Sequence, residues 1–569
     1  MKIKATFALL AVVSLAFGMS QAPDPTTTGS YIIQGGSLEA VAAAVAAVDG
    51  EITHELGIIN AVAAVLTVPQ RDELLVDPAI LNITKDSAVE VAGKPGGGTA
   101  DPSTDYPNLT SATALHDEGI TGAGVTVAVL DSGSMSHVSL NKDANGEWRF
   151  VSQYDALTNE VVAQVNMDHL GTKRAGTGIV SDDDNGHGSH VQSVIVSSAT
   201  GSNGLYNGIA PNAYLVSVKA FDANGQGTYA DVIRGIDWVV NNRDYLGVDV
   251  LNLSLSAAPQ SHYWDDPLNQ AVMRAWQEGI VVVASAGNGG PDPMTIGAPG
   301  NVPYVITVGA MSDNYTPGVG NDDILASFSA AGPTVEGFVK PEVVAPGGHI
   351  VGLMRNDMSI AVAHPEFHDG GAYFTMSGTS QSASVVSGIV ALILEAEPNL
   401  TPDQVKCKLM SAAQPAVDAN GNLAYSVFQQ GAGMVNAYNA VHGSNYDCAN
   451  RGMDINADIA GTVHYGGRAN VDENGNYYIM GLEGYLWTND YVSTEGYLWT
   501  NGYLWTNGYL WTNAYLWTNG TVGTDGYLWT NGYLWTNGYL WTNGYLWTNG
   551  FVGNATTETM SINQWVEPE

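Results

Sequence analysis

The sequence predicts an α/β domain, a parallel sheet with helices on both faces, flanked by two regions of different character. Between about residues 105 and 445, continuous β-branched runs alternate with longer helical stretches, which is typical of a parallel sheet covered on both sides. The region before it combines short strands with one Ala/Val-rich helical stretch, which predicts a small α+β module. The region after it repeats a six-residue unit, which predicts an all-β tail.

Length and charge limit the functions that the chain can have. At 569 residues it is too long for a single core and suggests roughly two to four domains. Its formal charge of −37, from 56 acidic and 19 basic residues, would repel nucleic acid and anionic membrane surfaces. We therefore expect neither as a partner.

Residues 1–22 predict a signal peptide and hence a secreted, extracellular protein. Two lysines precede an uncharged apolar run at residues 5–18, which is too short to span a bilayer as a mature helix, and small residues follow it. Cleavage after Ala22 fits the small-residue pattern but leaves a proline at the new terminus, so cleavage after Ser20 is the alternative. No later segment predicts a membrane anchor.

Residues 23–104 hold the predicted α+β module and a linker. We expect a strand at 31–33, a helix at 38–48, extended chain at 57–67 and a strand-like end at 79–91. The run of turn-forming residues at 93–103 predicts an exposed linker that a protease could cut.

Four short motifs in the order Asp, His, Asn, Ser carry the chemistry of the domain at 105–445. Asp131 ends a strand-like run, His187 lies in NGHGSH, Asn288 in ASAGN and Ser380 in GTSQS. Three of the four lie at the carboxyl end of a strand or at a helix start, where open α/β sheets place their sites. We therefore expect the four side chains to form one site.

Together these side chains can perform acyl transfer. Ser380 is the predicted nucleophile, favoured by a helix N-terminus, and His187 is its general base. Asp131 would orient the imidazole, and Asn288 would donate its amide to the oxyanion. Each residue alone could be a helix cap or a turn residue, but the ordered set favours catalysis. His190 is expected to make a structural hydrogen bond instead.

At these motifs the chain resembles the subtilisin-like serine proteases, the subtilases. The segments VAVLDSG, NGHGSHV, LNLSL, ASAGN and GTS, which begin at residues 127, 185, 251, 284 and 378, match blocks of that family in order. The resemblance implies a serine endopeptidase that cleaves polypeptides with no required cofactor. It also implies that the module at 23–104 is a propeptide, an intramolecular inhibitor that occupies the cleft until the enzyme removes it.

The resemblance also assigns a substrate cleft, whose backbone would pair with an extended peptide as an added strand. The cleft residues would be Ser254, Leu255, Ser256, Ser285, Ala286 and Gly287. The family usually has Gly where this chain has Ser256, and Met-Ala-x-Pro where it has QSAS after Ser380. These departures concern specificity and helix entry, since no reacting group is lost.

Two features leave alternatives open. Calcium often stabilises such proteases, and Asp182, Asp183 and Asp184 offer hard oxygen ligands, although they could equally form a solvated acidic loop. Cys407 and Cys448 have no zinc-site spacing; in an oxidising compartment they would form a disulfide, and otherwise they remain two thiols.

The predicted C-terminal domain, residues 446–569, contains hexads that run from 484 to 549. In nine hexads, YLWTN follows Gly or Ala. Two degenerate hexads, 490–495 and 520–525, keep the same register. The pattern fits either a meander of minimal hairpins or a solenoid. The solenoid is favoured because every copy of the repeat then has an equivalent position. Its rows of Tyr and Trp would contact a polymer, a surface or another copy, or would be the repeat's own packing.

The sequence therefore predicts a secreted serine endopeptidase made as a preproenzyme. The alternative is a structural or adhesive surface protein that acts through its aromatic repeats and carries an inactive protease-like domain. Loss of a triad residue would favour the alternative, and none is lost.

Overall fold

The structure is a computed structural model that describes most of the chain between residues 28 and 548. It describes residues 28–86, 88–91, 94–96, 104–164, 178–316, 322–418, 422–472 and 475–480, and ten three-residue strands between 492 and 548. The predicted signal peptide, most of the predicted linker and the residues between the repeat strands lie outside the described residues.

A sheet with seven parallel strands forms the centre of the α/β domain. In spatial order these strands are Val343–Pro346, Ile306–Ser312, Val281–Ser285, Val248–Leu253, Thr126–Asp131, Tyr214–Lys219 and Phe150–Asp155. Two antiparallel strands, Ile324–Leu325 and Glu160–Gln164, lie at its edges. The sheet is therefore mixed and mostly parallel, whereas the sequence predicted a purely parallel one.

Helices bury the strands of this sheet. Thr126–Asp131 and Val281–Ser285 are buried at every position, as expected of strands covered on both faces. The main helices are His187–Val196, Tyr229–Asn241, Pro267–Gln277, Thr379–Ala396 and Pro402–Ala412. Three of them begin at side-chain caps that satisfy the first backbone N–H groups: Thr228, Asp266 and Thr401.

Shorter elements complete the domain. The short helices are Tyr106–Leu109, Ala112–Asp117, Val138–Asn141, Arg243–Leu246, Ser359–Ala363, Val427–Gln430 and Ala437–His442, with a 3₁₀ turn at Pro365–Phe367. The short strands are Gln226–Thr228, Leu255–Ser256, Ile350–Leu353 and Tyr373–Ser377.

The helix Thr379–Ala396 is long and apolar enough to cross a membrane by length and composition alone. The sequence analysis expected no such segment after the signal peptide, so that expectation was wrong for this helix. Its residues 379–394 are all buried inside the protein. Its apolar character therefore reflects its place in the core of the α/β domain.

The N-terminal module is an antiparallel sheet with helices Leu38–Ala47 and Val68–Leu74 and a 3₁₀ turn at Gly57–Ile59. Its strands, in spatial order, are Glu51–Leu56, Ala61–Thr67, Thr28–Gly35 and Ile80–Lys85. Alternation along the strands gives the sheet two apolar faces. Ile33 and Val62 face the module's own core, whereas Ile32 and Ala63 pack into the core of the α/β domain.

Residues in the ranges 444–472 and 475–480 pack against the α/β domain. Cys448 forms a disulfide with Cys407 of the helix Pro402–Ala412. Of the two alternatives that the sequence left open, a disulfide or two free thiols, the structure contains the disulfide. The helix Ile455–Ile459 packs against the main core, and a hairpin of Ala469–Val471 and Tyr477–Ile479 follows it. This part of the chain therefore contacts the α/β domain on the C-terminal side of the boundary predicted at residue 445.

The repeat strands pair in parallel with every third hexad. Val492–Thr494, Leu510–Thr512, Leu528–Thr530 and Leu546–Thr548 form one sheet. A second contains Leu498–Thr500, Leu516–Thr518 and Leu534–Thr536, and a third contains Leu504–Thr506, Val522–Thr524 and Leu540–Thr542. A meander of hairpins would instead be antiparallel.

Candidate active site

Asp131 and His187 form a buried hydrogen-bonded pair. Asp131 is the last residue of the strand Thr126–Asp131, and His187 is the first residue of the helix His187–Val196. Nδ1 of His187 donates to Oδ1 of Asp131 at 2.8 Å, and each side chain is 1% exposed. Because Nδ1 carries the proton, Nε2 is the ring nitrogen that can accept one.

The buried side chain of Asp183 builds the turn that presents His187. Its Oδ1 accepts from Oγ of Ser132 at 2.9 Å and from the N–H of Gly186 at 2.8 Å. Its Oδ2 accepts from both the N–H and the hydroxyl of Ser189, at 2.8 and 2.6 Å. Gly186 has a φ of +107°, where a side chain would be strained. Asp183 is therefore a positioning residue that the sequence analysis did not identify.

The carboxylates of Asp182, Asp183 and Asp184, the predicted calcium ligands, have different surroundings in the structure. Asp183 is saturated by protein donors, Asp182 accepts the Ser134 N–H at 2.8 Å, and the Asp184 side chain is 72% exposed. The described part of the chain contains no group of three or more His, Cys, Asp or Glu side chains that could hold a metal ion. The turn therefore directs the three carboxylates toward different surroundings, although they are adjacent in sequence.

Ser380 lies in the first turn of the long buried helix Thr379–Ala396. Its hydroxyl donates to the carbonyl oxygen of Ser254 at 3.1 Å, and the Ser254 hydroxyl donates to the Ser380 carbonyl oxygen at 2.9 Å. This helix packs against the helix His187–Val196. The positive end of its dipole favours negative charge that develops beside the Ser380 hydroxyl.

The side-chain amide of Asn288 is oriented by Thr379. The backbone N–H of Thr379 donates to it at 3.0 Å, and the Thr379 hydroxyl donates to the same atom at 2.9 Å. Since an N–H can only donate, this atom is Oδ1, and the NH₂ group lies on the other side of the amide. That orientation suits a donor to an oxyanion. Thr379 is a second positioning residue, and its place next to Ser380 in GTS was the signal for it.

His190 has the structural role expected of it. Its Nε2 lies 3.1 Å from the carbonyl oxygen of Ile350 and 3.2 Å from that of Phe374, so it donates to both. Burial lowers the pKa of His190 to about 3, which keeps the ring neutral. The side chain therefore joins the strands Ile350–Leu353 and Tyr373–Ser377 to the helix that begins at His187.

The six predicted cleft residues lie on two neighbouring segments. Leu255–Ser256 forms a short strand, and residues 285–287 follow the strand Val281–Ser285. The Ser285 hydroxyl donates to the carbonyl oxygen of Leu255 at 2.8 Å, which braces one segment against the other. The N–H of Gly287 donates to the Thr379 hydroxyl at 3.2 Å and so joins the second segment to the Ser380 helix.

Two short strands that follow the N-terminal module pair with this site. Ala88–Val91 lies between Gln226–Thr228 and Leu255–Ser256, antiparallel to both. Lys94–Gly96 pairs antiparallel with Tyr373–Ser377, the strand that leads to Ser380. Residues 88–91 and 94–96 are therefore both paired with strands of this site.

Comparison with known proteins agrees with this geometry. The model of the subtilase family, peptidase S8, matches residues 122–433, more than half of the chain and a range that contains all four predicted catalytic residues. This chain belongs to the subtilase family. It is a serine peptidase, and so a hydrolase, and the resemblance seen in the sequence is confirmed.

Several known proteins are similar to this subtilase. Serine protease AprX of Bacillus subtilis (strain 168) is 40% identical over 329 residues, 57% of this chain and 67% of AprX. Subtilisin E of the same strain is 32% identical over 424 residues, 72% of this chain and 93% of subtilisin E. The crystal structure of fervidolysin from Fervidobacterium pennivorans, a keratinolytic enzyme related to subtilisin, matches with a TM-score of 0.56. At 24% identity, over 74% of this chain and 61% of that one, it shows the fold alone.

Proposed function

We propose that this subtilase is a secreted endopeptidase that cleaves polypeptides through Asp131, His187 and Ser380. The Ser380 hydroxyl attacks the scissile carbonyl while Nε2 of His187 takes its proton. His187 then gives this proton to the leaving amine, and a water molecule hydrolyses the acyl-enzyme by the same steps. Asp131 holds the imidazole in the tautomer that can accept, and stabilises the imidazolium that forms.

The oxyanion of the tetrahedral intermediate would be bound by Asn288 and by the backbone N–H of Ser380. The Thr379 contacts support this role for Asn288, since they direct its NH₂ group away from the helix. Loss of one such donor typically raises the barrier by about 3 to 4 kcal/mol. The proposed reaction needs a nucleophile, a base and these donors, and therefore requires no cofactor.

The observation that carries the proposal is the path of residues 88–96. Val91 is paired with Leu255, next to Ser254, whose carbonyl oxygen accepts from Ser380. Lys94 is paired with Ser377, three residues before Ser380. The bond midway between these two anchored residues is Ala92–Gly93. We infer that Ser380 cleaves this bond in its own chain.

Self-cleavage there divides the precursor into the regions expected from the sequence. Residues 1–22 would be the signal peptide, and residues 23–92 the propeptide, which inhibits by leaving its last strand in the cleft. The mature enzyme would begin at Gly93, inside the predicted linker. Export by the signal peptide makes the enzyme extracellular.

The repeats would form a solenoid with three hexads per turn. The register supports this proposal, because Trp511 pairs with Trp529 and Trp529 with Trp547, so equal hexad positions adjoin between turns. Such columns of aromatic residues would give the enzyme a surface for contact with a polymer or a cell surface. This role adds to the peptidase activity and does not replace it.

Casein hydrolysis by the purified chain tests the proposed peptidase. The wild type is expected to cleave casein, and Ser380→Ala is expected to lose activity by about 10⁶-fold. Ser202→Ala, at an exposed serine outside the four motifs, is the matched control and should retain full activity. Casein hydrolysis by Ser380→Ala at the wild-type rate would contradict the proposal.

A further inference from the structure

Ser256 projects into the gap between the two walls of the cleft. One wall is the strand Leu255–Ser256, and the other is the segment that contains Ala286 and Gly287. A Cβ placed on Gly287 would lie 2.8 Å from Oγ of Ser256, and a Cβ placed on Gly297 would lie 2.0 Å from it. The Ser256 hydroxymethyl therefore fills the space in front of both glycines.

The surroundings of this gap are small and held in place by backbone hydrogen bonds. Ala286, Ile296 and Ala330 form one buried apolar cluster. The Ala330 N–H donates to the Gly287 carbonyl oxygen at 3.0 Å, and the Gly297 N–H donates to the Ala286 carbonyl oxygen at 3.1 Å. Because these bonds fix the walls relative to each other, a larger occupant cannot push them apart without breaking them.

The strand register determines which part of a substrate meets Ser256. In the antiparallel pairing, Ser256 lies opposite residue 90 of the chain that occupies the cleft. Two directly opposed residues lie on the same face of a sheet. The residue two positions further along either strand lies on that face as well. For a substrate in this register, that second residue immediately precedes the scissile bond, since the bond assigned to self-cleavage follows residue 92.

We propose that Ser256 restricts the residue before the scissile bond to Gly, Ala or Ser. A side chain no longer than that of Ser fits beside the hydroxymethyl group, whereas Leu or Phe would need the space that Oγ occupies. The inference rests on the proposed function and names its substrate class: peptides with a small residue at this position. The residue before the proposed self-cleavage bond is itself Ala92.

A series of quenched fluorescent peptides that differ only in this residue tests the proposal. The series contains Gly, Ala, Ser, Leu and Phe, and kcat/KM is measured for the purified full chain after it has processed itself. For the wild type, the value for Ala should exceed that for Phe by at least about tenfold. Ser256→Gly should raise the ratio of the value for Phe to the value for Ala at least about tenfold.

Two further variants distinguish the effect of the size of the Ser256 side chain from the effect of its polarity and from a general loss of activity. Ser256→Ala keeps Cβ but lacks Oγ, so its Phe-to-Ala ratio should fall between those of the wild type and Ser256→Gly. Ser202→Gly makes the same change at an exposed position and should keep the wild-type ratio. The wild-type preference is measured without any substitution and so remains a test even if a cleft variant fails to fold.

The outcomes distinguish this inference from the proposed function. An active wild type that prefers Leu or Phe overturns the assignment of Ser256 and leaves the peptidase proposal standing. An unchanged Phe-to-Ala ratio in folded Ser256→Gly overturns it in the same way. Failure of the wild type to cleave any peptide overturns both.

Discussion

The N-terminal module and the C-terminal segment 444–480 both pack against the α/β domain, but they are held by different means. The module shares a sheet face with the domain, where Ile32, Ala61 and Ala63 join the main core. Its polar contacts with the domain include the hydrogen bond from Gln34 to Gln270 at 2.7 Å, the 3.1 Å contact of His54 with Asp231, and the hydrogen bond from the Ala230 N–H to Asp86 at 3.1 Å. Such a surface can separate once the chain between the two is cut.

The C-terminal segment is held by a covalent bond and by a buried polar network. The disulfide from Cys407 to Cys448 fixes its beginning. The buried carboxylate of Asp458 accepts from the hydroxyls of Tyr263 and Tyr304, at 2.6 and 2.9 Å, and from Nδ1 of His464 at 2.8 Å. Removing this segment would leave several donors buried and unsatisfied, at a cost of about 1 to 3 kcal/mol each.

We infer from this difference that the attachment of the module is temporary. An inhibitor that must leave is best held by apolar contact and by its own strand in the cleft, since cleavage turns both into a dissociable interface. A segment that must stay needs interactions that survive that cleavage. We therefore expect the segment 444–480 to remain on the mature enzyme and to link the repeats to it.

The largest expected effect is on the departure of the module. In Asp131→Asn the side-chain NH₂ group would face Nδ1 of His187 and favour the wrong tautomer, which lowers kcat by about 10⁴-fold. Self-cleavage should slow by a similar factor, so the module should stay attached while the C-terminal contacts are unchanged. The measurement is the fraction of chain processed over time, read by gel electrophoresis.

The matched control for this variant is Asp184→Asn, which changes an exposed aspartate in the loop before His187. It should process at the wild-type rate. Equal processing rates for Asp131→Asn and the wild type would mean that the module leaves by another route.

The disulfide should give the largest change in stability. It closes a loop across a sequence separation of 41 residues, which in the chain-entropy model stabilises by about 4 kcal/mol. Cys448→Ser should lower the free energy of unfolding of the processed enzyme by that amount, as measured in urea. The wild type unfolded in the presence of a reductant should have the same free energy of unfolding as the variant. If Cys448→Ser lowered that free energy by less than about 1 kcal/mol, the disulfide would not be what holds the C-terminal segment.

The buried carboxylate of Asp458 should contribute somewhat less than the disulfide to the free energy of unfolding. Asp458→Ala removes the acceptor from Tyr263, Tyr304 and His464, and should cost about 3 kcal/mol. Asp454→Ala, on the same helix, removes only a cap that accepts the Asn456 N–H at 2.9 Å and should cost about 1 kcal/mol. Equal costs for the two variants, measured by urea unfolding, would show that the network adds nothing beyond the helix cap.

A smaller effect is expected from pH at the module's interface. Burial raises the pKa of Asp86, although the Ala230 N–H and the Ser30 hydroxyl that it accepts from act in the opposite direction. A carboxyl whose pKa is raised in the complex takes up a proton on binding, so module binding should weaken as pH rises through that raised value.

Size-exclusion chromatography of the cleaved chain tests this sign. More of the module should co-elute with the α/β domain at pH 5 than at pH 8.5, and Asp86→Asn should reduce the difference. Stronger retention at the higher pH would contradict the assignment of Asp86.

The sequence did not predict one strand of the main sheet, whose polar residues are satisfied by distant partners. Phe150–Asp155 is a buried strand of the main sheet, yet it contains Ser152 and Gln153. Ser152 donates to the carbonyl oxygen of Ala163 at 3.2 Å, and Gln153 donates to that of Val180 at 2.8 Å. Because these hydrogen bonds exist only in the folded chain, no local sequence pattern predicted the strand.

The candidate site shows the same limit. Asp131, His187, Asn288 and Ser380 could be predicted because each lies in a short motif with its own chemistry. Asp183 could not, because the Ser132 hydroxyl that donates to it lies 51 residues away in sequence, and composition alone suggested a metal ligand. The contacts of Asp458 with the α/β domain could not be predicted either, since Tyr263 and Tyr304, which donate to it, lie 195 and 154 residues away in sequence.

Intact-mass analysis of the purified wild type and of Ser380→Ala tests the central claim most directly. The wild type should yield a chain that begins at Gly93 and still contains the segment 444–480, together with a separate fragment that ends at Ala92. Ser380→Ala should remain joined across that bond. A wild type that stays uncut at Ala92–Gly93, or a Ser380→Ala chain that is cut there, would contradict the account.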